Sequence, residues 1–237
     1  MFEVVIQLGA IIAVVILFWH QLWPFGKKNN KEPLAESGAG AYVKWDIFKL
    51  WFHILVSCVP AAIVGILFDE QLEALFYNYT TVAIMLIIFG IAFIIVETMH
   101  HGKKPKVRHL TGITYKLAFY IGLFQLIAAI FPGTSRSGAT IIGGLIIGVS
   151  RVAVAEFTFY LAVPVMLGMS LLKLLKFGFA FTGAELVILG VGTVVAFLVS
   201  IVVIRFLMSY IRKHDFKVFG WYRIVLGALV LVYFAFR

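Results

Sequence analysis

The chain has 237 residues, 62% of them hydrophobic and only 13% charged, with a mean hydropathy of +1.04. That balance excludes an ordinary soluble domain and marks an all-α polytopic membrane protein. The net charge of +9 does not indicate a nucleic-acid partner, because most Lys and Arg lie in short loops between apolar runs, where membrane orientation accounts for them.

The first apolar run, Val4–Trp23, follows Glu3 with no basic stretch before it. It therefore reads as a spanning helix and not as a cleaved signal peptide. A polar loop, Gly26–Asp46, leads to two further spans, Leu50–Phe68 and Thr80–Val96. The single cysteine, Cys58, lies inside the second span, so no intrachain disulfide exists and a cysteine-based metal site is disfavoured. A basic loop carrying Lys103, Lys104, Lys106, Arg108 and Lys116 follows.

The next two apolar arms, Leu117–Phe131 and Ala139–Val149, are too short to cross a hydrocarbon core of ~30 Å at ~1.5 Å per residue. They predict a re-entrant helix–loop–helix, 117–149. Three more spans, Val152–Leu172, Leu186–Ile204 and Val218–Phe236, complete a set of six. Pro60 and Pro164 sit inside spans and predict kinks. Arg223, within the last span, is expected to snorkel towards its end, and Phe219, Trp221 and Tyr222 to join an interfacial aromatic belt.

The lysine-rich loops after the first and third spans, with Arg151 and the Arg205–Arg223 region, fall on one face. Lys173, Lys176 and Arg237 fall on the other. The basic face is expected to be cytoplasmic and both chain ends outside. Glu3-Val-Val-Ile-Gln-Leu-Gly9 weakly echoes Glu156-Phe-Thr-Phe-Tyr-Leu-Ala162, each followed by two more spans of opposite direction. This predicts one membrane domain, 1–237, built as an inverted repeat with halves 1–96 and 117–237.

Chemistry concentrates in Phe131-Pro-Gly-Thr-Ser-Arg-Ser-Gly-Ala-Thr140, which places an arginine and four hydroxyls between apolar arms. Such groups are tolerated at membrane depth where they face protein or a wet cavity. Gly133 and Gly138 permit tight turns and close backbone approach, while Ser135, Ser137 and Thr140 supply hydroxyls. Arg136 supplies a planar fork matched to phosphate oxygens. A helix resuming near Gly138 would aim its first amides at the same point. The bland alternative is that the small residues serve helix packing and the hydroxyls bond their own backbone.

Glu3 and Glu156 are candidates to line the cavity or to pair with Arg136 or Arg151, with structural pairing the favoured reading. His20 and His53 are read as interfacial residues, and a metal site at His100, His101 and His109 is only a weak candidate.

The string PGTSRSGAT, with Ser150-Arg151, Ala155-Glu-Phe157 and Leu161-Ala-Val-Pro164 downstream, closely resembles the undecaprenyl-diphosphatase family. Phe2-Glu-Val-Val-Ile-Gln-Leu-Gly9 and Tyr222-Arg223 fit it too, so the resemblance covers essentially the whole chain. It implies a multi-pass bacterial inner-membrane enzyme that removes one phosphate from undecaprenyl pyrophosphate, recycling the lipid carrier for peptidoglycan and conferring bacitracin resistance. It also implies a divalent cation, Mg or Ca. Carried over residue by residue, it makes Ser135, Arg136 and Thr140 catalytic phosphate-binding groups, with Gly133, Ser137 and Gly138 shaping the substrate loop. Gln125, seven residues before Pro132, is a candidate for the same cavity or for a helix–helix hydrogen bond.

Family members resemble this chain after an additional N-terminal hairpin with an acidic-x-x-x-Glu motif and a Pro-x-Ser-Ser-Thr-Gly-His stretch. These supply metal ligands, nucleophilic serine and histidine, so no metal ligand is assigned here. The chain alone is accordingly expected to bind the lipid weakly and hydrolyse it poorly, as an impaired member. A lipid-phosphate or anion transporter is the other alternative, because a broken helix at mid-membrane is also transporter architecture. The expected partners are the lipid substrate and the bilayer, with no nucleic acid; a homo-oligomer is compatible with the sequence.

Overall fold

The computed structural model describes residues 2–26, 30, 32–177 and 182–236, without side chains for 2–5, 39, 69, 173, 174, 176 and 177. The charge-count roles of Lys27, Lys28, Lys31, Lys173, Lys176 and Arg237, and the Glu3 side chain, lie outside the described residues or side chains. Among the described residues the regular structure is helical: α1 Phe2–Leu17, α2 Trp19–Leu22, α3 Trp45–Phe76, α4 Tyr79–His100, α5 Tyr115–Ile130, α6 Arg136–Ile146, α7 Arg151–Phe177, α8 Gly183–Ile211 and α9 Lys217–Ala235. The protein is an all-α, multi-pass membrane protein.

Among the described residues five helices are individually long and apolar enough to cross a membrane, where six were expected: Trp45–Phe68 of α3, α4, Arg151–Leu172 of α7, α8 and α9. The expected first span is instead two helices interrupted at Phe18. Phe18 has φ −112° and ψ 23°, and its buried ring packs edge-on to Tyr160 at 5.1 Å and against Phe159 at 6.1 Å. The amides of Gln21 and Leu22 both turn to the Phe18 carbonyl, tightening the chain there. Aromatic packing thus overrides helix continuation. The helices run through Pro60 and Pro164.

The chain divides into two compact units, each drawing on both sequence halves. The inverted repeat is a proposal about helix direction, which this division does not address. The first unit comprises Met1–Phe52 and Phe159–Ser209. In it α1 and α8 touch backbone to backbone, since a Cβ added at Gly9 would lie 2.2 Å from the Thr193 carbonyl oxygen. The loop before α3 is fastened by hydrogen bonds from the Lys44 amide to the Pro24 carbonyl, 2.8 Å, and from Trp51 Nε1 to the Leu22 carbonyl, 2.9 Å.

The second unit comprises His53–Thr158 and Tyr210–Arg237. Small residues let α4 and α9 approach antiparallel. A Cβ at Gly220 would meet the Gly90 carbonyl at 2.7 Å, and one at Gly227 the Ala83 carbonyl at 2.7 Å. Such close contact maximises dispersion between helices that gain no hydrophobic drive from lipid. Similarly, α5 lies on α3, with Gly122 against the Ser57 backbone and the Ser57 hydroxyl donating to the Ala118 carbonyl.

One end of this unit is locked by Glu97, which is 1% exposed. Its carboxylate receives Arg151 Nε at 2.9 and 3.0 Å, Arg151 Nη2, and the Phe216 amide at 3.1 Å. Truncation leaves the Phe216 amide without its acceptor and frees a part-exposed Arg151, so Glu97→Ala should cost about 1–3 kcal/mol. Thermal unfolding in nanodiscs reads this; an unchanged midpoint would show that the lock adds nothing.

Orientation yields a second expectation. In a Cys58→Ser background, a cysteine at position 104 should resist an impermeant thiol reagent applied to intact cells, while one at position 77 reacts. The opposite pattern would reverse the orientation.

Candidate active site

The two short arms are α5 and α6, at ~24 and ~16 Å both shorter than a bilayer core. Residues 131–135 join them, and α6 begins at Arg136, two residues earlier than expected. Ser135 is the N-cap and has φ 65° and ψ 115°; among the described residues no other non-glycine has positive φ. Held strain of this kind costs about 1–3 kcal/mol and persists only where neighbours enforce it.

Two neighbours enforce it. Gly133, at φ +87°, lies on the α4 backbone, where an added Cβ would come within 2.4 Å of the Val82 carbonyl oxygen. Only glycine fits that contact. From α9, Arg223 Nη2 donates to the Gly133 carbonyl at 2.6 Å and the Thr134 carbonyl at 2.7 Å. Arg223 therefore does not snorkel. Its Nη2 finds two turn carbonyls at hand, while Nε is buried without a partner.

At the start of α6, Ser135 Oγ accepts from the Gly138 amide at 3.3 Å and contacts Ser137 Oγ at 3.3 Å. Capping occupies the Gly138 amide, while the Arg136 and Ser137 amides belong to the first turn, which has no intrahelical acceptors. They and the positive end of the helix dipole face whatever lies beyond the turn. Ser137 is exposed there, and Gly138 sits tightly beneath the Phe93 ring.

Thr140 is placed differently. Its fully buried hydroxyl lies 3.1 Å from the Arg136 carbonyl, 3.0 Å from the Ser137 carbonyl and 2.9 Å from Thr158 Oγ1. Those contacts commit it within the protein, fastening α6 to α7.

Arg136 Nη1 is buried without a hydrogen-bond partner, and no carboxylate among the described residues pairs with it. Gln125 is 2% exposed, with both amide atoms lacking partners, as does the buried Thr134 hydroxyl. The helix–helix hydrogen bond considered for Gln125 is not made. Each such group costs about 1–3 kcal/mol when left unmade, so Thr134 and Arg136, neighbours in the turn, mark a place open to polar contact. Thr134 was not singled out from sequence, although it stands inside the same motif.

Arg151 pairs with Glu97 and not with Glu156, which is half-buried. His20 is exposed, and His53 stacks on Tyr115 at 4.1 Å. Among the described residues no group of three or more His, Cys, Asp or Glu is placed to hold a metal ion.

An arginine, first-turn amides and hydroxyls at one helix start form a donor set for a phosphate. Residues 1–229 match the family model described as bacitracin resistance protein BacA. The chain is 62% identical over 237 residues to the undecaprenyl-diphosphatase of Desulfitobacterium hafniense, covering 100% of this chain and 82% of that protein. It is 57% identical over 233 residues to undecaprenyl-diphosphatase 1 of Clostridium acetobutylicum, covering 98% and 81%. An Enterococcus faecalis undecaprenyl-diphosphatase is 58% identical over 232 residues, covering 98% and 81%. With identity this high along its whole length, the chain belongs to the bacitracin resistance protein BacA family.

Proposed function

We propose that the chain hydrolyses undecaprenyl pyrophosphate to undecaprenyl phosphate, returning the lipid carrier to peptidoglycan synthesis, in the bacterial inner membrane. The observation that carries this reading is the buried, carboxylate-free guanidinium of Arg136 at the start of α6, behind the strained Ser135. Water supplies the oxygen that bonds to the terminal phosphorus, the bridging P–O bond breaks, and the lipid monophosphate leaves with the bridging oxygen. In phosphoryl transfer the protein contributes mainly position and charge stabilisation. Arg136 and the Arg136 and Ser137 amides neutralise the charge on the terminal phosphoryl oxygens. Gln125 and Thr134 offer further polar contacts, and Thr140 holds the turn in shape.

The divalent cation implied by the resemblance does not fit this turn. Gln125, Thr134, Ser135 and Ser137 offer no carboxylate, and Arg136 adds positive charge where a hard cation needs anionic oxygen. No step is assigned to it. The relatives favour neither a transporter nor an impaired member.

The test is phosphate release from undecaprenyl pyrophosphate by the purified chain in proteoliposomes. Release that follows the amount of folded protein is expected. Movement of labelled lipid phosphate between leaflets without release would replace hydrolysis by transport. Light scattering on the same sample reads the proposed homo-oligomer; a monomer mass would remove it.

A further inference from the structure

At one end of the second unit, three connecting segments, 101–114, 147–150 and 212–216, are stitched into one surface. The Lys106 and Val107 amides donate to the Gly148 carbonyl at 2.9 and 3.1 Å, and the Ser150 amide donates to the Val107 carbonyl at 2.8 Å. Ser150 Oγ donates to the Arg108 carbonyl at 3.0 Å, and Glu97 ties Arg151 to the Phe216 amide. Upon this scaffold Lys103, Lys104, Lys106, Arg108, Arg212 and Lys213 are all exposed. The nearby acids offset it little: Glu97 is buried on Arg151, Asp215 lies 3.9 Å from Lys217, and Glu156 is half-buried.

A fixed, uncompensated cationic surface thus lies at the ends of α4, α7 and α9, all long enough to span. That position is the depth of lipid headgroups. Orientation during insertion explains why lysines occur there. It does not explain why they are held together by hydrogen bonds afterwards. We propose that this surface binds the phosphodiester headgroups of anionic phospholipids, holding an annulus of them beside the enzyme. Flexible lysines suit this task, since a diester offers charge without demanding a bidentate partner.

The experiment uses the full chain in nanodiscs of mixed phosphatidylglycerol and phosphatidylcholine, with retained lipid counted by native mass spectrometry. Phosphatidylglycerol should be retained preferentially, and Lys103, Lys104, Lys106 and Lys213→Gln together should lower that retention about ten-fold. The corresponding Lys→Arg set should keep it. If the glutamine variant fails to insert, acetylation of the folded wild type after reconstitution removes the charges instead and must produce the same loss. Equal retention of the two lipids, or retention that survives acetylation, overturns the proposal. Displacement by inorganic phosphate at the same phosphate concentration would assign the surface to free anions and would equally overturn it.

Discussion

Replacing Arg136 by Lys should lower phosphate release from undecaprenyl pyrophosphate by about 100-fold or more, the loss typical of removing one donor aimed at transition-state charge. Lysine keeps the charge but loses the planar fork and the reach that places Nη1 in its buried position. Because no carboxylate among the described residues neutralises Arg136, the substitution leaves no unmatched acid behind, and stability should change little. Kinetics on purified Arg136→Lys, beside its thermal midpoint, check both halves. Wild-type turnover would remove Arg136 from the mechanism. A collapsed midpoint would make its role structural.

The second large effect is expected at Arg223, which touches no phosphate in this account. Its two hydrogen bonds pull the Gly133 and Thr134 carbonyls towards α9, so the turn presents amides, and not carbonyl oxygens, beside Arg136. Without them the negative ends of two peptide dipoles are freed near an anion. Arg223→Gln should reduce kcat by about 10- to 100-fold, the scale of a misplacement of ~1 Å at a reacting group. KM should move less, since Arg136 itself is left in place. Arg223→Lys, which retains one strong donor, should recover part of kcat. An equal loss in both variants would argue that Arg223 acts through packing.

The hairpin and the long spans were legible because run length against bilayer thickness is a local property of sequence, and no tertiary contact alters it. The motif around Arg136 was legible for a related reason: charge in an apolar context is expensive and stands out. What sequence did not show were partnerships between distant segments. Arg223 reads as a snorkelling residue until its carbonyl partners, 89 and 90 residues away, are placed beside it. Glu97 gave no signal at all, since an acid near a span end is ordinary until Arg151 and the Phe216 amide converge on it. In sequence Thr140 stands beside Ser135 and Ser137 as a hydroxyl of the motif, and only packing against Thr158 separates it from them. The break at Phe18 depends on the rings of Phe159 and Tyr160, which no window around residue 18 contains.

The most direct test of the central claim is a structure of the protein with a non-hydrolysable methylene bisphosphonate analogue of undecaprenyl pyrophosphate. The account predicts the terminal phosphonate at the start of α6, within hydrogen-bonding distance of the Arg136 guanidinium and the Arg136 and Ser137 amides, with Thr140 still bonded to Thr158. A phosphonate bound elsewhere, with Arg136 untouched, would contradict it.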